Sequence, residues 1–184
     1  MKLYVGLLFL GLVLVGVGLW FLFNPGLVPA VEIPEEEPVI TMHTSFRTIG
    51  NGPNHLRIYQ DGVVIYTEEK GIGSKATRTW RTGNLEAEEL AALLAFFSDS
   101  NFESLDAFYE FPGEPSNGST RVGGMSLSII IDFEDLQKGV SARQYLSPDG
   151  GMTYPDMPYP LNEIYKRLKD IAENRTEEVY RESL

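Results

Sequence analysis

Apolar and polar residues alternate with a period of two in the segments that follow residue 38, a pattern typical of strands with one buried face. The first such segment, VITMHTSFRTI, starts at Val39. The second, HLRIYQDGVVIYTEE, contains Asp61-Gly62, a dipeptide that tolerates positive φ and closes β-hairpins. The segment ATRTWRT at 76–82 repeats the alternation. The pattern predicts four successive strands, with GNGPN as the turn between the first two.

The alternation gives way to a helical pattern in NLEAEELAALLAFF. Asn84 is suited to cap this helix, and the acidic residues of the first turn complement the positive end of the helix dipole. The apolar face of the predicted helix consists of Leu90, Leu93, Leu94 and Phe97. A second apolar group follows, which we expect to seal the helix end against the sheet: Phe102, Leu105, Phe108 and Tyr109.

The second half of the chain predicts a β-hairpin and a final helix. MSLSIIIDF has the strongest alternation, and a turn at Glu134-Asp135 leads to a partner strand in KGVSARQYL. Pro160 stands at the first position of the last helix, where a missing N–H costs little. The apolar face of that helix consists of Leu161, Ile164, Leu168 and Ile171. We expect the polar tail RTEEVYRESL to fray.

The order β-β-β-β-α-β-β-α predicts an α+β domain, with an antiparallel sheet of about six strands and two helices on one face. Four regions are expected along the chain. They are a transmembrane signal-anchor at 1–23, a Pro/Glu-rich spacer at 24–38, an α+β domain at 39–175 and a polar tail at 176–184.

The N-terminal segment 3–23 contains 21 residues and no charged side chain. At ~1.5 Å of helix rise per residue, it matches the ~30 Å hydrocarbon core of a bilayer and predicts a retained transmembrane helix. The alternative is a secretion signal cleaved after Ala30, because Val28 and Ala30 suit a signal peptidase. The apolar run exceeds the roughly 7–15 residues of a signal peptide, so its length favours the anchor.

Charges on the two sides of this segment predict its orientation. Lys2 precedes it, whereas four glutamates between Glu32 and Glu37 follow it, and Arg47 is the first basic residue after them. The positive-inside rule then places the N-terminus in the cytoplasm and the domain outside. Cleaved or retained, the segment predicts an extracytoplasmic domain of a single-pass membrane protein or of a secreted one.

Composition excludes several kinds of chemistry. The chain has no cysteine, so it forms no disulfide, thiolate nucleophile, Cys-ligated zinc site or iron–sulfur cluster. After the apolar segment there are 14 basic and 26 acidic residues, and this net charge of −12 disfavours nucleic-acid binding. We expect no cofactor, because EKGIGSKAT lacks the spacing of a phosphate loop and DSNFESLDAFYE has Ser104 where a calcium loop needs Gly.

The succession IYQDGVVIY, LEAEELAALLAFFSDSNFESLDAFY, SLSIII and PYPLNEIYKRLKDI resembles a small domain of unknown function found on exported prokaryotic proteins. The resemblance covers residues 55–173. It implies an α+β fold and an exported location, and it implies no activity. The chain departs from the family pattern before Leu56, where many relatives carry a Cys-Pro pair, and at SNGSTRVGG, where an acidic residue is usual.

A metal site is one candidate for chemistry. Asp132, Glu134 or His43 with Asp149 would supply ligands of the kind that metals take, and His55 stands on the strand predicted next to His43. The competing interpretation is a solvated acidic turn and two surface histidines, which an acidic domain favours.

A partner-binding surface is the other candidate. Aromatic and methionine side chains on a stiff Pro-rich loop are typical of interaction surfaces, and the predicted contact residues are Met152, Tyr154, Met157 and Tyr159. The alternative is that they fold back over the core. The sequence thus predicts a non-catalytic, membrane-tethered module that binds a protein or another envelope component, with an exported metal-binding protein or metal-dependent enzyme as the alternative. Asn117 and Asn174 begin glycosylation sequons.

Overall fold

Eight β-strands and two α-helices occupy the part of the chain that the computed structural model describes, residues 31–46, 51–71, 73–111, 124–145 and 157–184. The strands are β1 (Ile40–Phe46), β2 (Asn51–Ile58), β3 (Val63–Lys70), β4 (Thr77–Asn84), β5 (Phe108–Phe111), β6 (Gly124–Phe133), β7 (Leu136–Tyr145) and β8 (Thr176–Ser183). The helices are α1 (Ala87–Asp99) and α2 (Tyr159–Asn174), and single 3₁₀ turns lie at Gly73–Lys75 and Phe102–Ser104.

All eight strands belong to one sheet, in the spatial order β5-β7-β6-β1-β2-β3-β4-β8. Neighbouring strands are antiparallel except β5 and β7, which run parallel. The predicted α+β class is confirmed. The predicted number of strands is wrong, because β5 and β8 add one strand at each edge.

The strand β8 replaces the frayed tail that the sequence predicted. It pairs antiparallel with β4 from Thr77↔Ser183 to Gly83↔Thr176. Its charged side chains are those of an edge strand, which packs little of its surface and discourages pairing with another molecule. A register shift beside Trp80 leaves Val179 as an extra, exposed residue, and such a bulge protects the edge in the same way.

The strand β5 lies in the segment that was expected only to seal α1. Phe102 and Leu105 are buried as predicted, and the rings of Phe97 and Phe102 meet edge to face with centroids 5.1 Å apart. Phe108 instead begins the four-residue strand and is exposed. Four residues are too few to show a period of two, which is why the pattern missed this strand.

Of the two turns predicted around β2, one is wrong and one is confirmed. GNGPN was expected to be a turn, but Asn51–Asn54 already belong to β2, with an irregular register opposite β3. The Asp61-Gly62 turn closes the hairpin between β2 and β3. Its Gly62 has a φ of 89° and donates its N–H to the Tyr59 carbonyl at 3.0 Å.

One face of the sheet carries the hydrophobic core. Strand residues at alternate positions pack there with the buried faces of both helices. From α1 these are Leu90, Leu93 and Phe97, and from α2 they are Leu161, Ile164, Tyr165, Leu168 and Ala172. Because both helices join the same cluster, no described helix is left to cover the opposite face of the sheet.

Each helix begins slightly away from the predicted residue. Asn84 ends β4, and the residue that caps α1 is Glu86, whose backbone N–H donates to the Glu89 carboxylate at 3.1 Å. The helix α2 begins at Tyr159, so Pro160 occupies its second position rather than the first. Either position leaves the missing N–H of proline outside the helical hydrogen bonds.

The half-buried Arg81 of β4 joins α2 to β8. Its guanidinium donates to the backbone carbonyls of Glu173 at 3.2 Å and Thr176 at 2.6 Å, and its Nε donates to the Thr176 hydroxyl at 3.0 Å. Carbonyls at a helix C-terminus lack partners within the helix, so a cation there is favourable. Arg81 thus fixes where the chain leaves α2 and enters the edge strand.

The predicted transmembrane segment at 3–23 and residues 24–30 of the spacer lie outside the described residues. Within the described ranges, neither helix combines the length and the apolar composition that crossing a membrane requires.

Gly83→Ala tests the docking of α2 and β8 against β4. A Cβ at this position would overlap the backbone carbonyl of Arg175. Backbone cannot move aside as a side chain tip does, so we expect the free energy of unfolding, measured by urea denaturation, to fall by about 1–3 kcal/mol.

Gly139→Ala is the matched control for Gly83→Ala. Gly139 is a glycine of β7, and a Cβ there would meet only the Ile130 Cγ1, at 3.7 Å. We expect this variant to stay within about 0.5 kcal/mol of the wild type. Equal stabilities for the two variants would contradict the placement of β8.

Candidate binding surface

The register of the sheet brings one residue from each strand into a single row on the face that no described helix covers. We call these residues the transverse row. In spatial order they are Phe108, Ser141, Ser128, His43, His55, Thr67, Trp80 and Tyr180. They face away from the core because they alternate with buried core residues such as Met42, Leu56, Tyr66 and Leu127. None of the eight residues is an Asp, Glu, Lys or Arg.

The centre of the row is a stacked pair of imidazoles. His43 and His55 are directly opposite each other on β1 and β2, with ring centroids 4.3 Å apart and ring planes 13° from parallel. Cross-strand side chains at this separation stabilise the pairing of their strands. The stacked pair therefore contributes to holding β1 against β2 while its outer surface stays open to a partner.

Serine hydroxyls surround the histidine pair on the β5 side. The Ser141 hydroxyl donates to the Ser128 hydroxyl at 3.2 Å, and the hydroxyls of Ser45 and Ser126 share a hydrogen bond of 2.6 Å. Each hydroxyl has further lone pairs and a rotatable proton, so these groups stay satisfied in water and can also bond to a partner. These hydroxyls and the imidazoles are polar, and Arg143 of β7 lies beside Ser126 on the same face.

On the β8 side the row becomes more apolar. Ile65 and Thr67 of β3 are buried although they face away from the helices, and Trp80 lies beside Thr67 on β4. Farther along the strands, Arg78 bridges two carboxylates, with its Nη2 2.6 Å from Glu69 and its Nη1 3.0 Å from Glu182. The hydrogen bond that Arg78 donates to Glu69 raises the pKa of the guanidinium above its ordinary value, so Arg78 stays cationic. One guanidinium between two carboxylates leaves this group with a formal charge of −1.

Two exposed apolar side chains complete the surface near the β5 edge. Phe108 is 53% exposed and Ile130 is 48% exposed. Gly139 of β7 lies opposite Ile130 and has no side chain to cover it. Exposed apolar groups next to hydroxyls are typical of a surface that is covered in a complex.

The environment of His55 favours its neutral form. Burial lowers the pKa of His55 below the ordinary value of 6.5, and the neighbouring His43 and Arg57 lower it further. Glu69 acts in the opposite direction but does not outweigh them. His55 is therefore uncharged in the folded protein at neutral pH.

The structure describes two of the four predicted contact residues. Met152 and Tyr154 lie outside the described residues. Met157 is 9% exposed and packs in the core, in line with the alternative that these side chains fold back over the core. Tyr159, by contrast, is 77% exposed at the start of α2. Within the predicted set, Tyr159 is thus the described residue that a partner is able to reach.

The residues of the metal hypothesis are separated in the sheet. His43 pairs with Ser128, and Asp132 is four residues farther along β6, roughly 13 Å away at the usual strand rise. Glu134 is beyond Asp132 in the hairpin turn, and Asp149 lies outside the described residues. Among the residues that the structure describes, no three His, Asp or Glu side chains gather as a metal site requires. A site that uses Asp149 stays a prediction.

The structure describes one of the two predicted glycosylation sequons. Asn117 lies outside the described residues. Asn174 is exposed at the last position of α2, where its amide donates to the Asp170 carboxylate at 2.6 Å.

Sequence reasoning found the core face of the strands but did not recognise the opposite face as a site. The signal was present in the polar half of the same alternation, which includes Thr41, His43 and Ser45 on β1. Which residues of different strands lie side by side depends on the strand order. In this sheet β1 pairs with β6, which is far away in sequence, and one chain alone does not reveal that pairing.

Comparison of this chain with protein-family models, with curated proteins and with solved structures finds no match. The resemblance to exported prokaryotic domains therefore stays a prediction.

His55→Gln tests the environment of the imidazole pair. Because the folded state depresses the pKa of His55, the unfolded chain binds more protons just below pH 6.5. We expect the wild type to lose stability relative to this variant as the pH falls from about 7.5 to 5.5, the window that starts at the ordinary histidine pKa. The free energies of unfolding of both proteins across this range measure the difference. A constant difference would contradict the depressed pKa.

Proposed function

We propose that this chain is a membrane-tethered, extracytoplasmic binding module that engages a protein partner through the transverse row and the side chains around it. The observation that supports the partner surface most directly is the row itself. It is an uncharged line of hydroxyl, imidazole and aromatic side chains across all eight strands of a chain whose net charge is −11, and every member except the buried Thr67 is at least partly exposed.

Charge favours this face over the remaining surface. Outside it, acidic side chains are spread over the spacer, the first turn of α1 and β8, and they repel any partner that shares their sign. The transverse row contains no acidic side chain and therefore does not repel an acidic partner. Its aromatic ends and its small hydroxyl groups are the combination that antibody combining sites use, where aromatic rings supply contact area and serines supply adaptable hydrogen bonds.

The dimensions of the face suit a protein partner. Seven inter-strand spacings of about 4.8 Å make the row roughly 34 Å long. With a depth of about 20 Å, three side-chain rows, the face has a planar footprint of roughly 700 Å², which is of the size that a protein partner covers. A small ligand would leave most of this area in water.

The tether and the outward orientation rest on the sequence alone. The uncharged segment 3–23 has transmembrane length, and Lys2 and the glutamates on its two sides favour an extracytoplasmic domain. A spacer with four prolines and four glutamates at 24–38 is stiff and extended, and so it holds the domain away from the lipid.

Site-specific photocrosslinking identifies the contact face. A photoreactive amino acid is placed at Ile130 or Phe108 on the open sheet face, at Tyr159 beside the predicted contact loop, and at Lys169 on the exposed side of α2, in full-length protein in native membranes. We expect the two sheet positions to crosslink one common protein and Lys169 to crosslink none. Crosslinking at Tyr159 alone would favour the loop 150–160 over the sheet.

The crosslinked protein is then purified and titrated against full-length variants. Ile130→Glu places a charge on the open face and should weaken binding at least about tenfold, because a buried unpaired charge is costly at an interface. Ala91→Glu adds the same charge to the exposed side of α1 and should change the affinity less than about twofold. Equal affinities would contradict the proposed surface.

Topology is tested with a single introduced cysteine, which the cysteine-free chain makes unambiguous. Lys169→Cys adds an exposed thiol on α2. We expect a membrane-impermeant maleimide to label it equally in intact and in permeabilised cells, and the labelled chain to stay in carbonate-washed membranes. Labelling only after permeabilisation would contradict the orientation, and a soluble chain that starts at Val31 would contradict the tether.

A further inference from the structure

A cavity of about 370 Å³ lies between α1, the 3₁₀ turn Phe102–Ser104 and the hairpin turn that joins β6 to β7. Its volume is within the range of small-ligand sites, roughly 300–1,000 Å³. It involves α1 and therefore belongs to the helix-covered side of the sheet, apart from the transverse row.

The floor of the cavity is apolar. Leu94 of α1 and the two hairpin residues Phe133 and Leu136 line it, and all three are half-buried and packed against the hydrophobic core. An apolar floor attached to the core gains little from water and favours a ligand with a hydrocarbon part.

The rim of the cavity is acidic. Glu103, Glu134 and Asp135 line it together with the exposed polar residues Ser98 and Asn101. None of the three carboxylates forms an ion pair with a side chain in the described ranges, although seven ion pairs occur elsewhere in them. The rim thus offers negative charge that the described protein does not neutralise.

The hairpin turn that carries Glu134 and Asp135 contains a non-glycine residue with a positive φ. Glu134 has a φ of 50°, in the left-handed region that hairpin turns normally fill with Gly, Asn or Asp. A glycine would fit this backbone without strain. Glu134 therefore places a carboxylate on the rim, but its backbone is more strained than that of a glycine at this position.

We propose that this cavity binds an alkylammonium group, with the ammonium among Glu103, Glu134 and Asp135 and the hydrocarbon stem on Leu94, Phe133 and Leu136. Lysine side chains bury their methylenes and expose their charged head in this way. The ligand is either a free alkylamine or a lysine side chain of a polypeptide. The inference does not rest on the proposed sheet-face interaction.

The arrangement fits an alkylammonium better than a bare metal ion. Calcium, for example, takes six or more oxygen ligands. A divalent cation also gains no binding energy from contact with the apolar floor. The described residues contain no group of three His, Asp or Glu side chains close enough to hold a metal. Carboxylates that do not converge on one metal ion still attract a cationic head above the apolar floor by charge.

Binding is measured by NMR on the full-length chain in detergent, from shifts of backbone amide signals. The probes are n-pentylamine, N-acetyl-lysine N-methylamide, 1-pentanol as the neutral isostere, and CaCl₂. We expect at least one of the two amines to shift the signals of Leu94, Asn101 and Leu136, with 1-pentanol at least tenfold weaker. Binding of the lysine compound indicates a polypeptide source, and binding of pentylamine alone indicates a free amine.

Charge-neutralised variants test the rim. Glu134→Gln with Asp135→Asn should weaken amine binding at least tenfold. The matched control is Glu36→Gln with Glu37→Gln, which removes the same charge from exposed spacer residues and should change binding less than twofold. Glu134→Gly should also weaken binding while it raises the urea midpoint, since it relaxes the turn and removes the carboxylate.

Several results would overturn the proposal. These are no shift with either amine, equal binding of 1-pentanol and pentylamine, and calcium shifts at the cavity without amine shifts. Unchanged binding in Glu134→Gly would also overturn it. None of these results bears on crosslinking at Ile130, so failure here and failure of the proposed partner surface are distinguishable.

Discussion

A β-strand sends successive side chains to opposite faces of its sheet, and in this protein both described helices cover the same face. Every strand therefore has a core half and an open half. In β1, Ile40 and Met42 pack under the helices, while Thr41 and His43 face outward. The register cannot slip by one residue without exposing the core half of a strand. The position of each residue on the open face is thus fixed by hydrophobic burial on the other.

An open sheet face must remain soluble without a covering layer, and the side chains on it meet that requirement in different ways. Serines pair with each other, Arg78 bridges two carboxylates, and the edge strand β8 carries charges and a bulge. The residual exposed apolar groups, Phe108 and Ile130, are then the exception. The face is therefore soluble on its own, and its uncharged row with these two apolar side chains is suited to a specific partner.

The sequence predicted those parts of the fold in which burial is periodic. Four strands, the strong hairpin β6–β7 and the apolar faces of both helices follow from periods of two and 3.6 residues. It missed β8, because an edge strand of charged residues has no buried half to detect, and it misplaced the start of α1, because Glu86 and Glu89 cap it by a reciprocal contact rather than by Asn84. The candidate surface and the cavity both depend on contacts between residues far apart in sequence, which no local pattern contains.

The two candidate sites differ in the physical term that would drive binding. On the open face, contact area and hydrogen bonds act at short range, so affinity depends on shape and is nearly independent of salt. At the cavity, three carboxylates attract a cation over a distance, so affinity falls as ionic strength rises. A single partner that bound at both sites would have to wrap around the sheet. It would need an uncharged patch against the open face and a basic residue in the cavity on the helix-covered side. Two separate ligands require no such geometry, and the structure therefore favours independent sites.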